Sequence, residues 1–237
     1  MTVTGRPCVI CGEPDTVRSH LLPAAVGREI KGEEKNFWIG SIQRDGKALS
    51  QSGVFDNFLC SDHEAFINTY ENEAIEFLRS FALTDDEKRA GWYRREANTE
   101  VLTRFVCSVL WRYHQSTRKE AGNVDVGGWE PVLRDITFGG DIATAPDTLC
   151  FGMYHEVIPN NRFAFSPARG RYDGRVIWST VVNGVAFMTK LDKQAFPSAH
   201  VREGRINGKE AMEGRAQEMT ADDIRRVKII LDRMRAK

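Results

Sequence analysis

The sequence predicts an α+β fold with an N-terminal zinc module, a helical middle and a C-terminal antiparallel sheet with a closing helix. Cysteine and histidine pairs with metal-ligand spacing occur near the N-terminus. Apolar residues at helical spacing dominate the middle, and short β-branched or aromatic runs follow after about residue 139. These observations divide the chain into a zinc-binding module, residues 1–82, and a region of helices and sheet, residues 83–237.

Composition and charge limit the classes of partner. The 237 residues include 33 basic and 33 acidic side chains. These charges cancel, so the composition lacks the excess of positive charge that is typical of nucleic-acid-binding proteins. No apolar run approaches membrane-spanning length, and the N-terminus lacks the pattern of a secretory signal. We therefore expect a cytoplasmic protein with no membrane partner. In a reducing compartment, cysteines with this spacing favour metal binding over disulfides.

Two residue pairs have the spacing of a four-coordinate zinc site. Cys8 and Cys11 are separated by two residues, as are Cys60 and His63. This gap lets both side chains of a pair reach one ion, and thiolate and imidazole are ligands that Zn²⁺ prefers. We therefore predict a structural Zn²⁺ that joins two distant segments, with Asp62 as the alternative to His63.

Between the two pairs lie two predicted strands and a histidine of interest. The strands cover residues 17–22 and 37–42, and Pro23 ends the first. His20 lies inside the loop that the ion closes. Two interpretations of His20 remain open: a general base that takes a proton from an attacking water, or a local hydrogen-bonding group that orients the metal-bound segments.

Helical spacing begins directly after the second pair. Apolar residues recur at this spacing over residues 66–81, and Ser61 with Glu64 has the pattern of a capping box. Thr84 and Glu87 repeat that pattern and predict a second helix. Further helices are predicted over residues 99–115 and 129–136.

The last third of the chain predicts a sheet. Short apolar runs cover residues 149–154, 162–165, 175–182 and 185–191. Asn183-Gly184 is a strong hairpin signal because both residues accept positive φ. We expect an antiparallel sheet of at least three strands, followed by a polar loop over residues 194–214.

Basic residues are prominent in two predicted helices. The closing helix, residues 220–235, includes Arg225, Arg226 and Lys228, which either contact phosphates or belong to a solvated face balanced by aspartates. In the helix over residues 99–115, we expect Arg112 to pair with a buried carboxylate while its neighbour Trp111 joins the core. The alternative is a pocket formed by these two side chains.

The order Cys-x-x-Cys-Gly, Ser-His-x-x-Pro and Asp-Asn-x-Leu-Cys-x-x-His resembles the HNH endonuclease module, a ββα-metal fold with zinc-containing variants. The resemblance covers residues 8 to about 80. It implies that His20 is the general base, that Asn57 orients it, and that the zinc is structural. Glu64 stands where the family has its final histidine, and Ser19 replaces the acidic residue that binds the catalytic metal.

Two functions follow from this resemblance. The first is a metal-dependent DNA endonuclease in restriction or phage conflict, with Mg²⁺ or Mn²⁺ held by Glu64 together with Asp56 or Glu71. The second is a catalytically inactive, zinc-scaffolded module that binds nucleic acid or a protein partner. The replacements at Ser19 and Glu64 favour the second function, whereas the retained His20 and the nearby Asn57 favour the first, which is the function we expect from the sequence.

Overall fold

Helices and strands both occur throughout the computed structural model, which describes residues 6–31, 37–41, 44–50, 53–154 and 164–220. The described helices are α1 (Ala24–Lys31), α2 (Ser61–Ser80), α3 (Asp85–Ala90), α4 (Thr99–Gln115), α5 (Glu130–Thr137) and α6 (Ala199–Glu203). The described strands are β1 (Val17–His20), β2 (Phe37–Ser41), β3 (Arg44–Ser50), β4 (Phe55–Leu59), β5 (Trp92–Glu96), β6 (Thr148–Tyr154), β7 (Ala164–Tyr172), β8 (Arg175–Val182), β9 (Val185–Lys190) and β10 (Ala211–Glu218). The predicted α+β class is therefore confirmed.

The N-terminal region pairs two strands that are distant in sequence. β1 runs antiparallel to β4, and α2 follows β4 after the single residue Cys60. Residues directly opposite each other in an antiparallel pair have their side chains on the same face. The register therefore gives the β1–β4 pair an outer face composed of Arg18, His20, Phe55 and Asn57. Ser19 belongs to the inner face and is fully buried.

The helical middle forms from the apolar periodicity that the sequence shows. α2 packs against α4, and their inward side chains include Ile67, Leu78, Phe105 and Leu110, all fully buried. α4 has the bounds that the sequence predicts. These side chains form the core beneath the β1–β4 pair.

One predicted helix cap is correct and the other is wrong. Thr84 accepts a hydrogen bond from the backbone N–H of Glu87, and the Glu87 carboxylate accepts one from the backbone of Thr84, which is the predicted capping box. At the start of α2, Cys60 is the N-cap residue and makes no side-chain capping bond. The predicted Ser61–Glu64 box fails because the helix begins at Ser61, one residue too early for that pattern.

Six of the described strands form one mixed sheet in the order β5-β10-β6-β9-β8-β7. The predicted hairpin is confirmed, since Asn183 and Gly184 have φ of 47° and 78° between β8 and β9. The predicted antiparallel sheet of at least three strands is confirmed by β6, β9, β8 and β7, and β10 adds a strand that runs parallel to β6. The predicted polar loop over residues 194–214 is wrong in part, since it contains α6 and the start of β10.

The two faces of this sheet belong to different apolar clusters. Cys150, Phe187 and Met212 share the large cluster that also contains the α2 and α4 residues. On the opposite face, Leu149 and Phe151 belong to a smaller cluster. The large cluster includes residues on both sides of position 82, and the division of the chain at that position stays a prediction.

Two further sequence predictions concern the chain ends and the membrane. The closing helix, with Arg225, Arg226 and Lys228, lies outside the described residues. Among the residues that the structure describes, none of the helices has the length and apolar content needed to cross a bilayer.

Candidate metal centre

The two predicted ligand pairs meet at one point. The Nδ1 atom of His63 lies 3.0 Å from the Cys60 Sγ, 3.7 Å from the Cys8 Sγ and 3.7 Å from the Cys11 Sγ. The Cys11 and Cys60 sulfurs are 3.8 Å apart, and all four ligand atoms lie within 4.8 Å of one another. The spacing prediction for these four residues is therefore matched by their positions.

These distances fit a tetrahedral ion. With Zn–S bonds of about 2.3 Å, neighbouring sulfurs of a tetrahedron are separated by about 3.8 Å. The cysteines are not joined by a disulfide. His63, rather than Asp62, supplies the fourth ligand atom of the group. The Cys8/Cys11/Cys60/His63 group can therefore hold a metal ion such as Zn²⁺.

Local backbone geometry positions the first pair. The backbone N–H of Gly12 donates to the Cys8 carbonyl at 2.8 Å, which closes a tight turn around the two cysteines. Gly12 has φ of 79°, a left-handed conformation that favours glycine. The N–H of Val9 donates to the Phe58 carbonyl at 3.0 Å and so attaches this turn to β4, next to Cys60.

The second pair depends on the start of α2. Cys60 is the N-cap residue, and His63 lies three residues later, so one helical turn brings both side chains to the same side. The His63 ring also packs edge-on against Phe138, with ring centroids 5.3 Å apart, which fixes the imidazole orientation.

Electrostatics within the group favour a cation. Burial raises the pKa of the Cys8 thiol, but backbone N–H groups of Cys11, Cys60 and Ile10 outweigh burial and leave this pKa below its ordinary value. The backbone N–H of Glu13 lowers the pKa of the Cys11 thiol, yet desolvation and the Cys8 and Cys60 sulfurs raise it overall. Adjacent thiolates repel each other, and a bound divalent ion removes that conflict.

His20 and Asn57 lie together on the outer face of the β1–β4 pair. The His20 ring is half-buried and tilted against Phe55, with centroids 6.0 Å apart. The Asn57 amide donates weakly to the Thr16 carbonyl at 3.5 Å.

Glu64 has a different environment. Its Oε2 atom is buried without a hydrogen-bond partner in the described part of the chain. Its charged neighbours are Glu71 and Arg112, which form a buried ion pair between α2 and α4. Burial lowers the pKa of Arg112, but the Glu71 and Glu64 carboxylates outweigh burial, so the guanidinium stays charged.

Arg112 also connects these helices to β1. Its Nη1 atom donates to the His20 carbonyl at 2.7 Å, and Arg112 and Trp111 are both fully buried. The expectation that Arg112 pairs with a buried carboxylate is confirmed. A guanidinium therefore lies beside Glu64 and Glu71, two of the carboxylates considered as ligands of a catalytic cation.

The Asp56 carboxylate forms hydrogen bonds with residues at the C-terminal end of α4. It accepts them from the Ser116 hydroxyl and from the backbone and hydroxyl of Thr117. Desolvation raises the pKa of Asp56, but these donors and the Asn57 N–H outweigh it and lower the pKa. Among the described residues, Cys8, Cys11, Cys60 and His63 form the single group of three or more potential metal ligands.

Two arginines that the sequence did not indicate as site residues contact Phe55, the residue opposite His20 in the β1–β4 pair. The Arg18 guanidinium lies 3.5 Å from the Phe55 ring centroid, and that of Arg118 lies 5.4 Å from it. The Arg118 Nε atom also donates to the Phe55 carbonyl at 3.1 Å. Arg18 shares strand alternation with His20, a signal that the sequence contains, whereas nothing local indicates Arg118.

Comparisons of this chain with protein-family models, with curated proteins and with solved structures gave no match. The function is therefore inferred from the residues of the site.

Proposed function

We propose that the chain binds nucleic acid through an HNH-like zinc module. The order of β1, β4 and α2, with one ligand pair ahead of β1 and the other at the start of α2, supports this proposal. A ββα unit closed by an ion is the arrangement that the sequence resemblance implies. The module is a scaffold, because the ion ties the first residues of the chain to the start of a long helix.

The outer face of the β1–β4 pair is the proposed contact surface, and its two arginines are the observation that carries the proposal. Arg18 and Arg118 flank the half-buried ring of Phe55. Guanidinium groups held against an aromatic ring keep their charge while losing little side-chain freedom on binding. Such groups contact phosphates without reading sequence.

The binding test uses fluorescence anisotropy with a labelled DNA duplex at 50–200 mM salt. We expect the Arg18→Gln/Arg118→Gln variant to bind at least about tenfold more weakly and to reduce the salt slope by about 2. The control variant, Arg89→Gln/Arg134→Gln, removes the same charge from α3 and α5. Equal affinity of the two double variants at all salt concentrations contradicts the proposed surface.

A second candidate function is phosphodiester cleavage. The half-buried His20 on this same face supports it, because a general base must reach the substrate. The buried pairing of Glu71 with Arg112 and the engagement of Asp56 argue against a second, catalytic Mg²⁺ or Mn²⁺ at these carboxylates. We therefore propose binding without cleavage as the main function, and restriction or phage conflict stays a prediction.

Supercoiled plasmid incubated with Mg²⁺ or Mn²⁺ distinguishes the two functions. The binding proposal predicts that wild-type protein leaves the plasmid intact. Nicking that is abolished in His20→Ala and retained in His200→Ala supports the endonuclease instead. His200 is a suitable control because it lies on α6, apart from the β1–β4 pair.

A further inference from the structure

A cavity of about 420 Å³ opens on the face of the large sheet that carries Leu149 and Phe151. Its walls come from β5, β6, β7, β10, α6 and the segment that follows α6, and none of its lining residues belongs to the zinc group or to the β1–β4 pair. This volume lies within the range of small-molecule sites in proteins. The cavity is therefore independent of the proposed nucleic-acid surface.

One row of side chains crosses three strands at this cavity. Arg215 on β10 lies directly opposite Trp92 on β5 and opposite Phe151 on β6. Trp92 is 46% exposed, one of two large apolar side chains in the described residues with such exposure. An exposed indole next to a guanidinium presents a flat apolar surface and a positive charge to the same ligand.

The Arg215 guanidinium has no ion-pair partner within the described part of the protein. Arg215 is exposed and makes no hydrogen bond or ion pair there, whereas the other cation of the wall, Lys209, lies 3.7 Å from Glu213. Glu213 is also 3.5 Å from Arg94, so two cations already compensate this carboxylate. Glu203, the other acid of the wall, lies on α6 rather than on the strand that carries Arg215.

Two further aromatic side chains, Phe151 and Tyr172, line the cavity. Tyr172 packs edge-on against Phe151, with centroids 5.6 Å apart, and against Phe196 at 6.4 Å. These contacts hold the ring rigidly, so a planar ligand meets a surface that is already ordered. The Tyr172 hydroxyl makes no hydrogen bond within the described residues and is available to a polar ligand atom.

We infer that this cavity binds a small organic anion with a planar aromatic ring, the ring stacking on Trp92 and the anionic group pairing with Arg215. Ring stacking accounts for the exposed indole, and the anion supplies the partner that Arg215 lacks. Ligands that link an aromatic ring to a phosphate group, as a nucleoside monophosphate does, have this chemistry, and so do ligands that link an aromatic ring to a carboxylate.

Isothermal titration calorimetry with AMP and with indole-3-acetate tests the inference and separates the two anion classes. Adenosine and inorganic phosphate serve as the matched ligands that lack the anion or the ring. We expect at least one of the two anions to bind with a Kd below about 1 mM, and each matched ligand to bind at least about tenfold more weakly. Failure of both anions to bind at this level overturns the inference, as does phosphate binding equal to that of AMP.

Substitution of two exposed side chains of the cavity tests their contribution to ligand binding. Arg215→Gln is expected to weaken binding of the anion about tenfold, and Trp92→Ala is expected to weaken it to a similar extent. Arg134→Gln, which removes an exposed guanidinium on α5, is the control and keeps wild-type affinity. Circular dichroism confirms folding of each variant. Equal affinity of Arg215→Gln and Arg134→Gln overturns the inference.

Discussion

Cys11 is the residue at which the contribution of an ion can be separated from that of packing. Cys8 and Cys60 are buried, but Cys11 is exposed. An exposed side chain away from special features changes stability by no more than about 0.5 kcal/mol when truncated. Loss of a structural zinc ligand costs much more, because metal binding is coupled to folding.

We therefore expect Cys11→Ala to lower the free energy of unfolding by about 3 kcal/mol or more, measured by urea denaturation. Cys107→Ala is the control. Cys107 is fully buried on α4 and lies outside the metal group, so its truncation costs only about 1 kcal/mol through a small cavity. A Cys11→Ala variant with wild-type stability contradicts a bound ion.

Arg112 is the second residue with a large expected effect. It is fully buried and donates both to Glu71 and to the His20 carbonyl. Arg112→Met leaves Glu71 buried without its partner, so we expect a loss of about 3–5 kcal/mol in the free energy of unfolding. Urea denaturation at neutral pH measures this loss.

The surface pair of α5 provides the control for Arg112. Arg134 lies 3.9 Å from Glu130 and is about half exposed, so Arg134→Met should cost less than about 0.5 kcal/mol. The double variant Arg112→Met/Glu71→Met should recover part of the loss, because it removes both buried charges. Equal stability of the two single arginine variants contradicts the structural role of the buried pair.

At the scale of elements, the contact between α3 and β5 gives a prediction for pH. The hydrogen bond from Arg95 lowers the pKa of Glu87 from 4.5 to about 2, with further help from Thr84. Because the folded state lowers this pKa, the stability from charged Glu87 is fully present above about pH 4.5 and is lost as pH falls toward 2.

We expect Glu87→Gln to reduce the dependence of unfolding free energy on pH between 5 and about 2, measured by urea denaturation at successive pH values. Arg95→Gln should reduce it similarly, because it removes the main donor to this carboxylate. If the unfolding free energy of Glu87→Gln depends on pH as steeply as that of the wild-type protein over this range, the lowered pKa of Glu87 is contradicted.

Some helices and strands could be predicted from the sequence and others could not. α4 and β8 have their predicted bounds because helical and strand periodicity are local properties. β10 was missed because its sequence, AMEGRAQE, is polar and contains a glycine. A Cβ atom at Gly214 would collide with the Cys150 carbonyl, so this strand requires glycine for close approach to β6.

At the scale of the whole molecule, the sequence predicted the metal group better than its surroundings. Ligand spacing is a local signal, and it identified Cys8, Cys11, Cys60 and His63. Phe55 is contacted by Arg118, which approaches from beyond the end of α4, and no local pattern indicates such a contact. Glu64 stands where the HNH resemblance would place a histidine, and it lies beside the buried charges of Glu71 and Arg112.

Native mass spectrometry of the purified protein counts the ions held by the Cys8/Cys11/Cys60/His63 group and so shows whether an ion joins the two chain segments. We predict one Zn²⁺ per wild-type chain and per Cys107→Ala chain, and none in Cys11→Ala or His63→Ala. A wild-type chain without a bound ion, or equal zinc content in wild-type protein and Cys11→Ala, would contradict the account.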